Sequence, residues 1–247
     1  MRLSLLIILI IALSGCGHYN LENRATKSRG TKLDLSRKKL DEIPEWIFEQ
    51  TQVRELNLHR NRIKSIPSEI GNLVNLEKLT LSRNDIDSLP PEIGKLKKLR
   101  RLSLKANKLI YIPPEIGELE NLEELWLNFN QLQKLPDEIT ELKKLTHIYL
   151  DYNNLLELPE NIGNLTALVH LTLKQNRLSY LPPSFYTLTQ LNFLNVSYAG
   201  ASFTLDEAFC KMRNVETLYI DQATLSFSPR CIQIRANSNF RFTIYVE

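Results

Sequence analysis

Apolar residues return at a fixed step through most of the chain. From Leu102 the sequence reads L-S-L-K-A-N-K-L-I-Y-I-P-P-E-I-G-E-L-E-N-L-E-E, with apolar side chains at Leu102, Leu104, Leu109, Ile112, Ile116, Leu119 and Leu122. The Leu102-x-Leu104 step has a period of two, which predicts a short strand with alternate residues inward. The stretch after it must turn. Pro113 has a fixed φ and no N–H, so it suits the coil between elements, and Glu115 to Leu119 leave room for one short helical or 3-10 turn on the outer side. The unit then recurs: Asn61, Asn84, Asn107, Asn130, Asn153 and Asn176 stand 23 residues apart, and Pro44, Pro67, Pro90, Pro113, Pro136, Pro159 and Pro182 keep the same step. Self-similarity at such a period predicts a solenoid or array. Each asparagine falls where the chain leaves a strand, where its amide can both donate to and accept from backbone groups at the bend.

The pattern L-x-x-L-x-L-x-x-N-x-L-x-x-L-P-x-x-I-G-x-L-x-x resembles the leucine-rich repeat, in the 23-residue form of bacterial proteins and of Ras-binding-type intracellular scaffolds. Clear copies cover Val53 to Leu191. Weaker ones flank them: Leu33-x-Leu35-x-x-Lys38-x-Leu40 opens the array with lysine at the asparagine position, and Leu194-x-Val196-x-x-Ala199 and Leu218-x-Ile220-x-x-Ala223 close it with alanines. Terminal copies meet solvent on one side and are expected to be atypical. Ile244-x-Val246 suggests a tenth strand. The resemblance implies an α/β solenoid, or horseshoe, with a parallel concave sheet of about ten short strands and short helical or 3-10 turns on the convex side. The repeat domain then covers residues 32–247, and no second domain is expected.

The first residues carry a different signal. Met1-Arg2 precede Leu3 to Leu13, an apolar run broken only by Ser4. It is too short to span a bilayer as a helix and matches a secretory signal peptide. Leu13-Ser14-Gly15-Cys16 resembles the lipobox of bacterial lipoproteins, which implies a signal peptide over 1–15 and a lipidated Cys16 at the head of a polar tether, 16–31. Several acyl chains on one cysteine anchor firmly, at about 0.8 kcal/mol per buried methylene. By the same resemblance Gly17 is not the retention aspartate of inner-membrane lipoproteins, which favours the outer membrane or cell surface of a bacterial envelope. An exported chain could also oxidise Cys210 and Cys231, which lie on the outer parts of neighbouring copies. They either form a disulfide or stay two separate buried thiols.

With two leucine-type positions of each strand buried, the intervening residues form columns along the sheet's open face. The column before the asparagines begins Arg37, Arg60, Arg83, with Arg101 and Lys105 nearby. This basic arm suits an acidic protein surface, an anionic glycan or a lipid headgroup, unless its arginines pair with acidic residues across the turns. The centre carries Trp126 and Phe129 on one strand and Tyr149 and Tyr152 on the next, flanked by Phe193, Tyr198 and Tyr219. Exposed aromatic clusters are candidate hot spots for a partner. Phe129 and Tyr152 are better placed to pack against the turn, and Trp126 and Tyr149 to face solvent.

Other chemistry is not indicated. Glu124, His147 and His170 share one column, but nothing like H-E-x-x-H or paired C-x-x-C supports them, so they are read as polar surface and no metal or cofactor is expected. No G-x-S-x-G, phosphate-cradling loop or placed nucleophile points to an enzyme. A formal net charge of +3, or +2 once Arg2 leaves, does not call for nucleic acid. The expectation is a lipid-anchored, non-catalytic module that binds a protein, either a host molecule or an envelope component, on its concave face. The alternatives are a glycan-binding surface protein, with Trp126 and Tyr149 as a stacking platform, and a self-assembling envelope protein paired through the edge of its last strand.

Overall fold

The computed structural model describes residues 30–235 and 243–247. The signal segment, Cys16 and nearly all of the tether lie outside them. Ten strands join in one parallel sheet in chain order, among them β1 (Lys32–Asp34), β2 (Glu55–Asn57), β3 (Lys78–Thr80), β4 (Arg101–Ser103), β5 (Glu124–Trp126) and β6 (His147–Tyr149). They continue as β7 (His170–Thr172), β8 (Phe193–Asn195), β9 (Thr217–Ile220) and β10 (Thr243–Val246). The register follows the sequence period: Leu56 pairs with Leu79, Leu79 with Leu102 and Leu102 with Leu125. A single residue is inserted before β9, where Leu194 pairs with Leu218.

The return side of most coils is a 3-10 turn, as at Pro91–Lys95 and Pro114–Glu118. The proline ahead of it makes this turn: Pro113 sits at φ −69°, and its carbonyl accepts the Ile116 N–H at 3.1 Å. A residue that has lost its own donor but keeps its acceptor is well suited to open such a turn. Between sheet and turns runs the core. Leu102, Leu104, Leu109, Ile112, Ile116, Leu119 and Leu122 are all buried, none more than 4% exposed. On the turn side a Cβ added to Gly117 would come 2.4 Å from the Glu138 carbonyl, so that column favours glycine. Thr140 breaks it one coil later, and the following turn shortens to Ile162–Asn164.

The asparagines tie coil to coil. Asn130 donates from its amide nitrogen to the Leu127 carbonyl of its own coil (2.8 Å) and to Leu104 of the coil before (3.0 Å), while its oxygen accepts the Leu109 N–H at 3.1 Å. Asn61, Asn84, Asn107, Asn153 and Asn176 repeat this set. The residue just before each asparagine is left-handed, with φ between 55° and 60° at Arg60, Arg83, Ala106, Phe129, Tyr152 and Gln175, and so are Arg37 and Tyr198, which precede Lys38 and Ala199 at the same place in the flanking copies. Its N–H reaches the next coil, as from Phe129 to the Asp151 carbonyl at 2.9 Å.

The last coil departs from the expected pattern of a worn-down repeat. Two short helices, α1 (Gln222–Ser226) and α2 (Arg230–Arg235), replace the 3-10 turn. Asp221 explains the change: its carboxylate accepts the Thr224 N–H at 2.9 Å as the cap of α1 and, across the coils, the Tyr198 N–H at 2.8 Å. Cys210, in the turn Glu207–Lys211, and Cys231, in α2, form a disulfide with their Cα atoms 6.0 Å apart, joining neighbouring coils on the outer side.

Replacing Asn130 by alanine leaves the buried Leu109 N–H without a partner, at about 1–3 kcal/mol, and takes one of two amide donors from the Leu104 and Leu127 carbonyls, which keep Asn107 and Asn153. Asn130→Ala should therefore destabilise the fold by about 1–3 kcal/mol in urea denaturation followed by circular dichroism. Asn176→Ala, which also takes the one asparagine amide from the Leu173 carbonyl but whose bonds are only part-buried, should cost a similar amount, and no measurable loss at either position would mean that the ladder is not what holds the coils.

Candidate functional site

The side chains that leave the sheet on its open face divide it into two regions. At the N-terminal end Arg37, Arg60 and Arg83 stand exposed on the left-handed column. The ion pairs found among the described residues involve other cations, so the pairing across turns that would neutralise this arm is not seen there. Glu55, the acidic residue on this part of the sheet, is taken up by Lys32 at 2.8 Å, and that bond holds its carboxyl below the usual range. His59 shows how the arginine charges converge: burial first, then Arg83, Arg37 and Arg60, lower its pKa. Arg101 lies exposed on β4, and the Lys105 ammonium sits 5.4 Å from the centre of the Phe129 ring, joining the basic arm to the aromatic region.

From β5 onward rings stack from strand to strand. Trp126 and Tyr149 are parallel within 2° at 5.6 Å between centroids. Tyr149 leans on His170 at 5.0 Å, and His170 stacks on Phe193 at 4.1 Å. Phe193 meets Tyr219 at 5.5 Å, and Tyr219 stacks on Tyr245 at 4.5 Å. One aromatic stripe thus crosses six strands, β5 to β10. Beside it Phe129 and Tyr152 form their own stack at 4.4 Å.

Two expectations need correcting. Trp126 and Tyr149 are half-buried, whereas Phe129 and Tyr152 are 43% and 42% exposed, the reverse of the expected order. The left-handed backbone at 129 and 152 is the reason, since it swings those side chains out of the plane of the strand while leaving them stacked on each other. His170, read as polar surface, is instead a rung between two aromatic rings. Sequence reasoning also passed over Tyr245, although it occupies the middle position of Ile244-x-Val246, the same outward position as Tyr219 on β9.

The polar groups among the rings are tied down. The Asp151 carboxylate accepts from the Thr172 hydroxyl at 2.7 Å and the Lys174 N–H at 2.8 Å, and burial raises its pKa. Lys174 pairs with Glu247. Among the described residues no group of three or more His, Cys, Asp or Glu side chains could hold a metal ion, and no helix is long and apolar enough to cross a membrane.

Burial, with His147 alongside, lowers the His170 pKa to about 4. A folded-state value below the ordinary 6.5 means that the unfolded chain takes up the proton first, so stability falls as pH drops from about 6.5 toward 4. His170→Phe should keep the stack and flatten that part of the pH dependence of the melting temperature. An unchanged slope would show that His170 is already charged within the stripe.

Two family models match the chain: one described as a leucine-rich repeat region, over residues 33–148, and one described as disease resistance protein RPS4B-like, leucine-rich repeats, over 116–217. No curated protein matches. Among solved structures the chain is similar to a leucine-rich-repeat protein of Leptospira interrogans, with TM-score 0.71 and 28% identity, covering 87% of this chain and 61% of that one. It is also similar to the ectodomain of the membrane receptor kinase GASSHO1/SCHENGEN3 of Arabidopsis thaliana in complex with CASPARIAN STRIP INTEGRITY FACTOR 2, with TM-score 0.65, 29% identity and 73% of this chain covered. A third is the plant peptide hormone receptor RGFR1 in complex with RGF2, with TM-score 0.60, 30% identity and again 73% of this chain covered. The chain spans only 23% and 35% of those two receptor structures. With the two models running together from 33 to 217 and ten parallel strands in one open solenoid sheet, the chain is a leucine-rich-repeat protein.

Proposed function

We propose that the chain is a non-catalytic recognition module that binds another protein on the open, concave face of its sheet, and that an acylated Cys16 holds it to the membrane of a bacterial envelope. The observation that carries the first part is the aromatic stripe from Trp126 to Tyr245, continuous over six strands. Rings of this kind dominate binding energy where a partner can cover them. The stacking also bears on the glycan alternative. A sugar platform needs ring faces turned to solvent, but here faces are covered by the neighbouring ring and edges remain, which suits apolar and polar side chains of a protein. Two of the similar structures are receptors in complex with partners, which supports binding as the role. A sheet built from ten stacked strands is stiff before the partner arrives, so little ordering cost is added on association.

The anchor rests on Leu13-Ser14-Gly15-Cys16 behind its apolar run. With Gly17 next, the outer membrane or the cell surface is the proposed location, and the partner is a host molecule or another envelope component.

Two experiments test these parts separately. In cells fed an alkynyl palmitate, the full chain should incorporate label and partition into detergent, and Cys16→Ser should do neither; label on the variant would remove the anchor from the proposal. The Cys16→Ser chain can then serve as soluble bait for envelope extract and host extracellular material. Adding Trp126→Ala and Tyr149→Ala should abolish capture of a partner while leaving the far-ultraviolet dichroism unchanged. Capture that survives would move the site off the stripe.

A further inference from the structure

The left-handed column is where the chain departs most from local backbone preference. A non-glycine residue at positive φ is strained, and asparagine, aspartate and glycine tolerate it best. All of the left-handed positions of this column carry other residues, and in order along the solenoid they read Arg37, Arg60, Arg83, Ala106, Phe129, Tyr152 before Gln175 and Tyr198 complete them. The backbone therefore does not select these side chains. All except Ala106 are exposed, so packing does not select them either. What remains is the face they present: three cations, one small residue, then rings.

We propose that this column reads a single amphipathic helix of a partner protein, lying along the solenoid axis with carboxylates over the arginines and apolar residues over Phe129 and Tyr152. This deepens the protein-binding reading and rests on it. Charge complementarity is the first argument. The three arginines have no carboxylate partner among the described residues, and their charges converge on His59. Lys105 over the Phe129 ring marks the point where the required chemistry changes from acidic to apolar.

Spacing is the second argument. Neighbouring strands lie about 4.8 Å apart, so Arg37 to Arg83 covers about 10 Å. Residues one turn apart on a helix rise about 5.4 Å, or about 11 Å over the same two steps, which long arginine side chains can absorb. Residues on one side of an extended strand repeat at about 6.7 Å and reach about 13 Å, so they drift out of register before the rings are met. Ala106 leaves the gap over which the helix passes from one region to the other.

The test uses the full chain and a synthetic helical peptide of about six turns. Its contact face carries glutamate at three successive turns, then alanine, then leucine at two. A control peptide has the same composition with glutamate and leucine interleaved along that face. By fluorescence anisotropy the ordered peptide should bind about tenfold tighter than the control, with an affinity that falls as salt rises. Arg37→Ala/Arg60→Ala/Arg83→Ala should cancel both the preference and the salt dependence. The substitution is compatible with the backbone, since Ala106 already occupies this position at φ 56°. Phe129→Ala/Tyr152→Ala should weaken binding and keep the salt dependence. Equal affinity for the two peptides, or indifference to the arginine variant, overturns the proposal. So does loss of binding to anionic phosphatidylglycerol vesicles in that variant while the peptide is still bound, which would make the arm a lipid-headgroup contact. An envelope partner captured through Trp126 and Tyr149 but unaffected by the arginine variant would leave the protein-binding reading standing and remove only this one.

Discussion

Hydrogen bonds from the asparagine ladder to the backbone are the constraint on which the rest of this protein depends. Every coil must reverse direction between a strand and a turn against a packed apolar core, so its buried peptide groups need internal partners. One amide serves three of them at once, for Asn130 the carbonyls of Leu104 and Leu127 and the N–H of Leu109. Once those bonds form, the left-handed residue before the asparagine, the pairing of strands and the level of the leucines follow in each coil. Hydrophobic burial supplies most of the driving force, but it is non-directional. The amide supplies direction.

A scaffold so fixed leaves few positions free to carry information. Leu102, Leu104 and their counterparts belong to the core, the prolines to the turns and the asparagines to the ladder. The outward strand positions and the left-handed column are what the sequence can vary without disturbing the coil. That is where the arginines and the aromatic stripe are found, and it is why a face of regular geometry can be basic at one end and aromatic at the other.

The architecture was legible because it is local and periodic: a 23-residue spacing of asparagine, proline and leucine maps directly onto coils, strands and turns. Two things were less legible. Exposure at Phe129 and Tyr152 depends on a positive φ that no residue there advertises. The rungs of the stripe are set by contacts across coils, so His170 became a partner of Phe193 only when the two stood in register on β7 and β8. The final coil could have been anticipated in part, since Asp221 and Thr224 have the spacing of a helix cap, but the bond from Tyr198 to Asp221 joins residues on different coils.

The ladder has a polarity. The side-chain amide of each asparagine reaches its own coil and the coil before it, not the one after, so the first copy is completed by Asn61, which accepts from Lys38 and Leu40 and donates to Leu35. A coil in this protein is finished by its successor. Shortening the array from the front takes acceptors from the new first coil, as the Arg54 carbonyl is for the Glu77 and Lys78 N–H groups, but leaves every remaining coil its amide, whereas shortening it from the back strips the new last coil of the amide that closes it. Past the last asparagine, the Asp221 carboxylate takes the Tyr198 N–H that a backbone carbonyl takes in the earlier coils. Lengthening or trimming such an array would therefore begin from the front and leave the Asp221 coil in place.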